Sequence, residues 1–120
     1  MSTNQVGEGD IIDYDNTGSA IASGDPVVMN DVLGVATVAI AATSGSGSVA
    51  IEGEFTLPKV TGTACAVGET LHWDASAGGL INTITPASGD ISNAAICTVA
   101  AASGDTTVVA RLTPGAGTGA

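Results

Sequence analysis

Basic residues are almost missing from this 120-residue chain: Lys59 and Arg111 stand against 12 aspartates and glutamates, giving a formal net charge of −10. No Lys/Arg patch exists to neutralise phosphates, which excludes direct nucleic-acid binding and opposes docking on anionic membrane. Aromatic residues are equally scarce, with Tyr14, Phe55 and Trp73 alone. Aromatic side chains carry the largest burial energies, so a core of Val, Ile and Ala is thin for this length, and part of the stability is expected from neighbouring subunits. Cys65 and Cys97 are too few for a disulfide framework, and each sits among Ala, Val, Ile and Thr, where cysteine acts as a small buried hydrophobe. Met1 to Asp10 has neither a basic segment nor an apolar run, and no stretch approaches the length that spans a bilayer. Synthesis in the cytoplasm, with no membrane partner, is the expectation.

What the chain does contain points to strands. Hydrophobic residues make up 44 % and charged residues 12 %, and 17 glycines with many Thr, Val and Ala replace the usual helix-forming mixture. Ser48 to Pro58 alternates, with Val49, Ile51, Gly53, Phe55 and Leu57 on one side and Ala50, Glu52, Glu54 and Thr56 on the other. Val32 to Ile40 reads as a second strand, joined to the first through Ser44-Gly45-Ser46-Gly47-Ser48, and the two are expected to pair antiparallel. Further strands are expected over Asp10 to Tyr14, Thr70 to Trp73, Leu80 to Ile84, Ala94 to Val99 and Thr107 to Leu112. About eight short strands predict a single all-β domain, a compact barrel or sandwich of antiparallel strands over residues 10–112.

One turn spelling recurs: Ala22-Ser23-Gly24-Asp25, Ala66-Val67-Gly68-Glu69 and Ala102-Ser103-Gly104-Asp105, each just before a β-prone run. Glycine can take positive φ and the acidic side chain can bond nearby backbone, so the spelling suits a tight entry into a strand. Unequal intervals between the copies exclude a solenoid. The ends differ from the body. Residues 1–9 are polar, and residues 113–120 (Thr-Pro-Gly-Ala-Gly-Thr-Gly-Ala) have nothing to bury, so both read as arms that order against a partner. Ser2, Thr3, Asn4, Gln5, Val6, Thr113 and Pro114 are the partner-binding candidates, with Trp73 as a core or interface anchor.

No arrangement carries catalytic chemistry. His72, in Leu71-His72-Trp73-Asp74, has no nucleophile beside it, and an ordinary strand histidine is the simpler reading. Gly45-Ser46-Gly47-Ser48-Val49-Ala50 spells a relaxed dinucleotide fingerprint but precedes a strand, where the fingerprint needs a helix. Asp10, Asp13 and Asp15 form the best metal candidate. The run from Asp13 begins like a calcium loop, yet its twelfth position is Gly24 rather than a bidentate Glu, which leaves a looser calcium site or a solvated acidic turn. No catalytic residue and no cofactor is assigned.

Several segments taken in order resemble the bacteriophage capsid decoration, or cement, proteins. They are Glu8-Gly9-Asp10-Ile11-Ile12-Asp13-Tyr14, Ile21 to Val28, Leu33-Gly34-Val35-Ala36, Val49 to Lys59 with its Glu-Gly-x-Phe-x-Leu-Pro-Lys element, Gly68 to Asp74 and Gly104 to Val108. The chain departs from that pattern at His72, where an aromatic is common, and over Ala75 to Ala94, which carry little signature. The resemblance implies a small β domain on the outside of an icosahedral phage head, bridging subunits of the major capsid protein as a homo-oligomer, a trimer rather than a dimer, with no enzymatic activity. Two other readings stay open on the residues alone: an adhesin or fibre module binding a host glycan, which needs exposed aromatics, and a small hydrolase, which needs partners for His72.

Overall fold

Extended, β-branched runs separated by Gly-containing turns leave nowhere for a helix to nucleate, and the computed structural model, which describes residues 9–120, contains none among them. Ten strands form: β1 (Ile11–Asp15), β2 (Pro26–Met29), β3 (Val32–Ala36), β4 (Ser46–Ala50), β5 (Glu54–Pro58), β6 (Thr70–Asp74), β7 (Gly79–Ile81), β8 (Ile91–Val99), β9 (Thr107–Leu112) and β10 (Thr118–Gly119). They build two antiparallel sheets. The smaller runs β1-β4-β3-β2; the larger runs β5-β9-β8-β6-β7, with β10 added to β8.

The fold is all-β as expected, but neither sheet closes into a barrel. In the larger sheet the two outer strands approach through one parallel bridge, Lys59 to Leu80, with Val60 N–H donating to the Leu80 carbonyl at 2.9 Å. A single bridge is not a ladder.

The alternating run Ser48 to Pro58 is not one strand. β4 ends at Ala50 in the smaller sheet and β5 starts at Glu54 in the larger one. Between them Gly53 takes a φ of 125°, and a Cβ there would press on the Phe55 ring. The alternation survives the corner because each half buries one face, Val49 in the smaller sheet's core and Leu57 in the larger's. β3 and β4 pair antiparallel through Val35 with Ala50 and Ala36 with Val49.

Two apolar clusters follow from the two sheets. The larger holds Leu57, Leu71, Trp73, Leu80, Ile91, Cys97, Val108 and Leu112, and takes in Leu33 and Val35 from β3, so it also cements sheet to sheet. The smaller is Val27, Ala36, Ile40 and Val49, edged by Tyr14, Ile21 and Met29. Cys65 and Cys97 are both buried and free, and burial pushes both thiols up from their ordinary range.

The recurring turn is a reciprocal clasp, and the structure holds four copies. In each, the acidic residue's N–H donates to the alanine carbonyl, and the alanine N–H donates to the acidic side chain. The pairs are Ala22 with Asp25, Ala66 with Glu69, Ala87 with Asp90 and Ala102 with Asp105, with alanine N–H to carboxylate distances of 3.0, 2.6, 2.9 and 2.9 Å. Gly24, Gly68 and Gly89 supply the φ near +90° that the third position of a type II turn demands. Gly104 does not adopt it. Its turn keeps the same clasp and is also bonded by Lys59, described below.

Residues 113–120, expected as an arm that orders against a partner, lie on the domain. β10 pairs with β8, Ala120 N–H donates to Asp90 C=O at 2.9 Å, and Gly119 N–H donates to the Asp31 carboxylate at 2.6 Å. Asp31 sits in the turn between β2 and β3, so this strap ties the two sheets together. The reason is steric: a Cβ on Gly117 or Gly119 would meet the Asp31 or Asn30 main chain, and glycine alone lets the backbones approach. What looked like a segment with nothing to bury contributes backbone hydrogen bonds instead of side chains. The other expected arm, residues 1–9, lies outside the described residues except for Gly9.

Candidate functional site

The candidate catalytic groups hold neighbouring backbone in place, while the candidate metal ligands Asp10, Asp13 and Asp15 stand exposed. His72 Nδ1 accepts the Asn93 main-chain N–H at 2.8 Å, at the point where β8 bulges against β6 and Asn93 takes a φ of 57°. Burial lowers the His72 pKa from its ordinary 6.5. The imidazole is thus a neutral acceptor holding a β-bulge. Asp74 Oδ1 accepts from the Ser76 hydroxyl at 2.8 Å and from the N–H groups of Ser76 and Ala77, and these bonds hold its carboxyl below the usual 3.8. It caps the β6–β7 turn and does not approach the acceptor role on His72.

Asp13 and Asp15 project from the exposed face of β1, while Asn16, next in line, turns inward. Asn16 Nδ2 donates to the carbonyls of Ser19 and Ala41, and its Oδ1 accepts from Gly18 N–H at 3.0 Å. The calcium-like run is therefore a turn closed on its own amide. Among the described residues no group of three His, Cys, Asp or Glu is placed to hold a metal ion. The glycine-rich run at Gly45 leads into β4, not into a helix.

Lys59, half of the chain's basic complement, is only 5 % exposed. Its ammonium donates to three main-chain carbonyls, Val60 at 3.0 Å, Ser103 at 3.3 Å and Asp105 at 3.4 Å, and so anchors the end of β5 to the fourth turn. Arg111 on β9 is left as the only exposed Lys or Arg of the chain. The surface is acidic and offers a partner almost no positive charge.

Of the proposed contact residues, Ser2, Thr3, Asn4, Gln5 and Val6 lie outside the described residues. Trp73 is buried in the larger core of the single subunit. Thr113 is half-buried and its hydroxyl donates to Asn93 C=O at 2.9 Å; Pro114 is half-buried beside it. Tyr14 and Phe55 also pack against the cores, so no aromatic is exposed as a platform for a sugar ring.

What remains available is exposed apolar surface on both sheets. Ile11 (50 % exposed), Ile12, Val28 and Val38 belong to that sheet or its loops, and Val67 and Val99 lie at one end of the larger. A composition argument could have placed the first two on β1, but their exposure follows only from β1 being an edge strand.

No curated protein and no solved structure matches the chain. Residues 6–112 match the sequence family described as phage cement protein, a span that holds β1 to β9 and leaves only the C-terminal strap and the first residues outside. A capsid-stabilising role and a place on the phage capsid come with that membership. The chain belongs to the phage cement protein family.

Proposed function

We propose that this protein sits on the outer surface of a phage head and stabilises it by bridging subunits of the major capsid protein, without enzymatic activity. The family match over residues 6–112 carries this reading. The acidic, apolar-dotted surface supports it: such a face suits shape and strand contacts to another protein and no small-molecule chemistry. The protein acts as a homo-oligomer, a trimer in preference to a dimer, because many weak contacts made at once hold a shell against internal pressure. The segment from Ser2 to Val6 reaches a neighbouring subunit, and Thr113 and Pro114 contribute at the foot of the strap. The protein is made in the host cytoplasm.

The test uses heads of the parent phage assembled without this protein. Light scattering of the chain alone gives its oligomeric state, and co-sedimentation with the heads gives attachment. Attachment with a raised head-disruption temperature is the expected result. A chain that neither attaches nor alters that temperature overturns the proposal.

A further inference from the structure

Sheet edges differ in what they offer to another strand. In an antiparallel ladder each strand points the N–H and C=O of alternate residues toward its partner and the rest away. Ile51 N–H donates to Asp10 C=O at 2.9 Å and Asn16 N–H donates to Gly45 C=O at 2.8 Å, so the even-numbered positions of β1 face β4. Ile11, Asp13 and Asp15 therefore turn their main-chain groups outward, along an edge where no strand pairs among the described residues. Their side chains are exposed as well.

The other edges of four residues or more are blunted by proline. Ala36 N–H donates to Asp25 C=O at 2.9 Å, which sets the odd positions of β2 toward β3 and leaves Pro26 and Val28 outward. Leu112 N–H donates to Gly53 C=O and Lys59 N–H to Thr106 C=O, which leaves Glu54, Thr56 and Pro58 outward on β5. Proline has no N–H to give, so both edges refuse an added strand. β1 carries no proline.

Two acids on that edge decide who can use it. If β1 paired antiparallel with the β1 of a second copy about Asp13, Asp13 would face Asp13, and like charges directly opposite are destabilising. A second copy brings only Arg111 as an exposed Lys or Arg, and that residue lies in the other sheet. In that register the edge disfavours its own kind, and it favours a cation.

We infer that the outer edge of β1 accepts, by strand addition, a basic extended segment of the capsid protein, with lysine or arginine facing Asp13 and Asp15 and an apolar residue facing Ile11. This rests on the capsid-binding reading above and names the chemistry of the contact.

A synthetic peptide, acetyl-Thr-Lys-Val-Lys-Val-Val-Thr-amide, serves as the probe on the full chain, followed by amide exchange in NMR. The expected result is protection at the amides of Ile11, Asp13 and Asp15, none gained at Ile12 and Tyr14, and affinity that falls as salt rises. The same peptide with glutamate for lysine does not bind. Asp13→Pro removes an outward N–H and keeps the bonds to β4; it melts like the parent and loses the peptide. Asp13→Asn with Asp15→Asn keeps the edge and weakens binding about two- to five-fold per carboxylate, the range of exposed ion pairs.

Three results overturn the inference: no protection at millimolar peptide, equal binding of the glutamate peptide, or a folded Asp13→Pro chain that binds unchanged. Edge amides already protected in the free chain also overturn it, in favour of a second copy if protection rises with concentration and of the chain's own first residues if it does not. Head co-sedimentation separates this from the broader reading. If the parent chain attaches to heads and Asp13→Pro attaches equally, only the edge is wrong; if the parent chain does not attach, the cement reading fails and the peptide result still decides the edge.

Discussion

The two sheets solve opposite problems. The larger one surrounds a continuous core from Leu57 to Leu112, buries its only lysine against carbonyls, and brings its outer strands together at Lys59 and Leu80. The smaller one has a cluster of its own of just four buried apolar residues, shows two isoleucines to solvent on β1 and leaves that strand's edge open. An open edge is a hazard in a free protein and an asset in one made to be bound. The contrast places most of the buried apolar surface in the larger sheet and leaves the smaller with an open edge.

Core truncation is the most forceful way to break that contrast. Leu71→Ala, at a fully buried position of the larger core, is expected to cost about 3–5 kcal/mol and to unfold the whole domain in one transition. Ile40→Ala in the smaller cluster is expected to cost about 2–3 kcal/mol, because fewer neighbours lose contacts. Urea denaturation of both variants checks this, and equal losses would remove the asymmetry between the sheets. Lys59→Met comes next, at about 2–3 kcal/mol, since it leaves the carbonyls of Val60, Ser103 and Asp105 without their donor in a buried setting. If the methionine variant melts with the parent, the lysine is packing its stem and not serving as a clasp.

The C-terminal strap sharpens the comparison, since it is the part of the larger sheet that reaches the smaller one. Removing Gly117 to Ala120 deletes β10, the bond from Gly119 N–H to Asp31 and the bond from Ala120 N–H to Asp90. A loss of about 1–2 kcal/mol is expected, with faster amide exchange around Asn30, Asp31 and Ile91. A free arm would give no change in melting, so an unchanged melting temperature would restore the expectation drawn from composition.

Much of the fold was legible where side chains carry the signal. Alternation located β3, β6, β8 and β9 to within a few residues, and the Ala-x-Gly-Asp/Glu spelling marked turns whose bonds are side chain to neighbouring backbone. Legibility failed where the backbone acts alone or over long range. Gly53 interrupts no alternation, so the corner between β4 and β5 hides inside a perfect pattern. Lys59 between Pro58 and Val60 reads as a surface residue, because two of its three acceptors lie 44 and 46 residues away. The strap is Gly and Thr, which composition scores as having nothing to bury. As for the contact surface, β1 was foreseen as a strand, but its edge position, and hence the exposure of Ile11, depends on a strand order that local pattern does not encode.

The smallest expected effect concerns His72 and runs with pH. Its Nδ1 must be unprotonated to accept the Asn93 N–H, and burial already lowers its pKa below the ordinary 6.5, so the folded state prefers the neutral ring more than the unfolded chain does. Between the two pKa values the unfolded chain binds the extra proton. Stability from this contact is therefore complete above about pH 6.5 and is lost as pH falls through the lower, folded-state value. Asp74 stays ionised over that range, since its bonds to Ser76 and Ala77 hold its carboxyl below 3.8. His72→Gln presents an amide oxygen to the same N–H and carries no proton to titrate. Melting of both chains from pH 7.5 to 5 is the measurement, and the expected outcome is that the parent loses up to about 1 kcal/mol more than the glutamine variant, the scale of one hydrogen bond. Parallel pH profiles would show that the bulge holds without the histidine, and that the β6–β8 pairing in the larger sheet is rigid enough to need no clasp there.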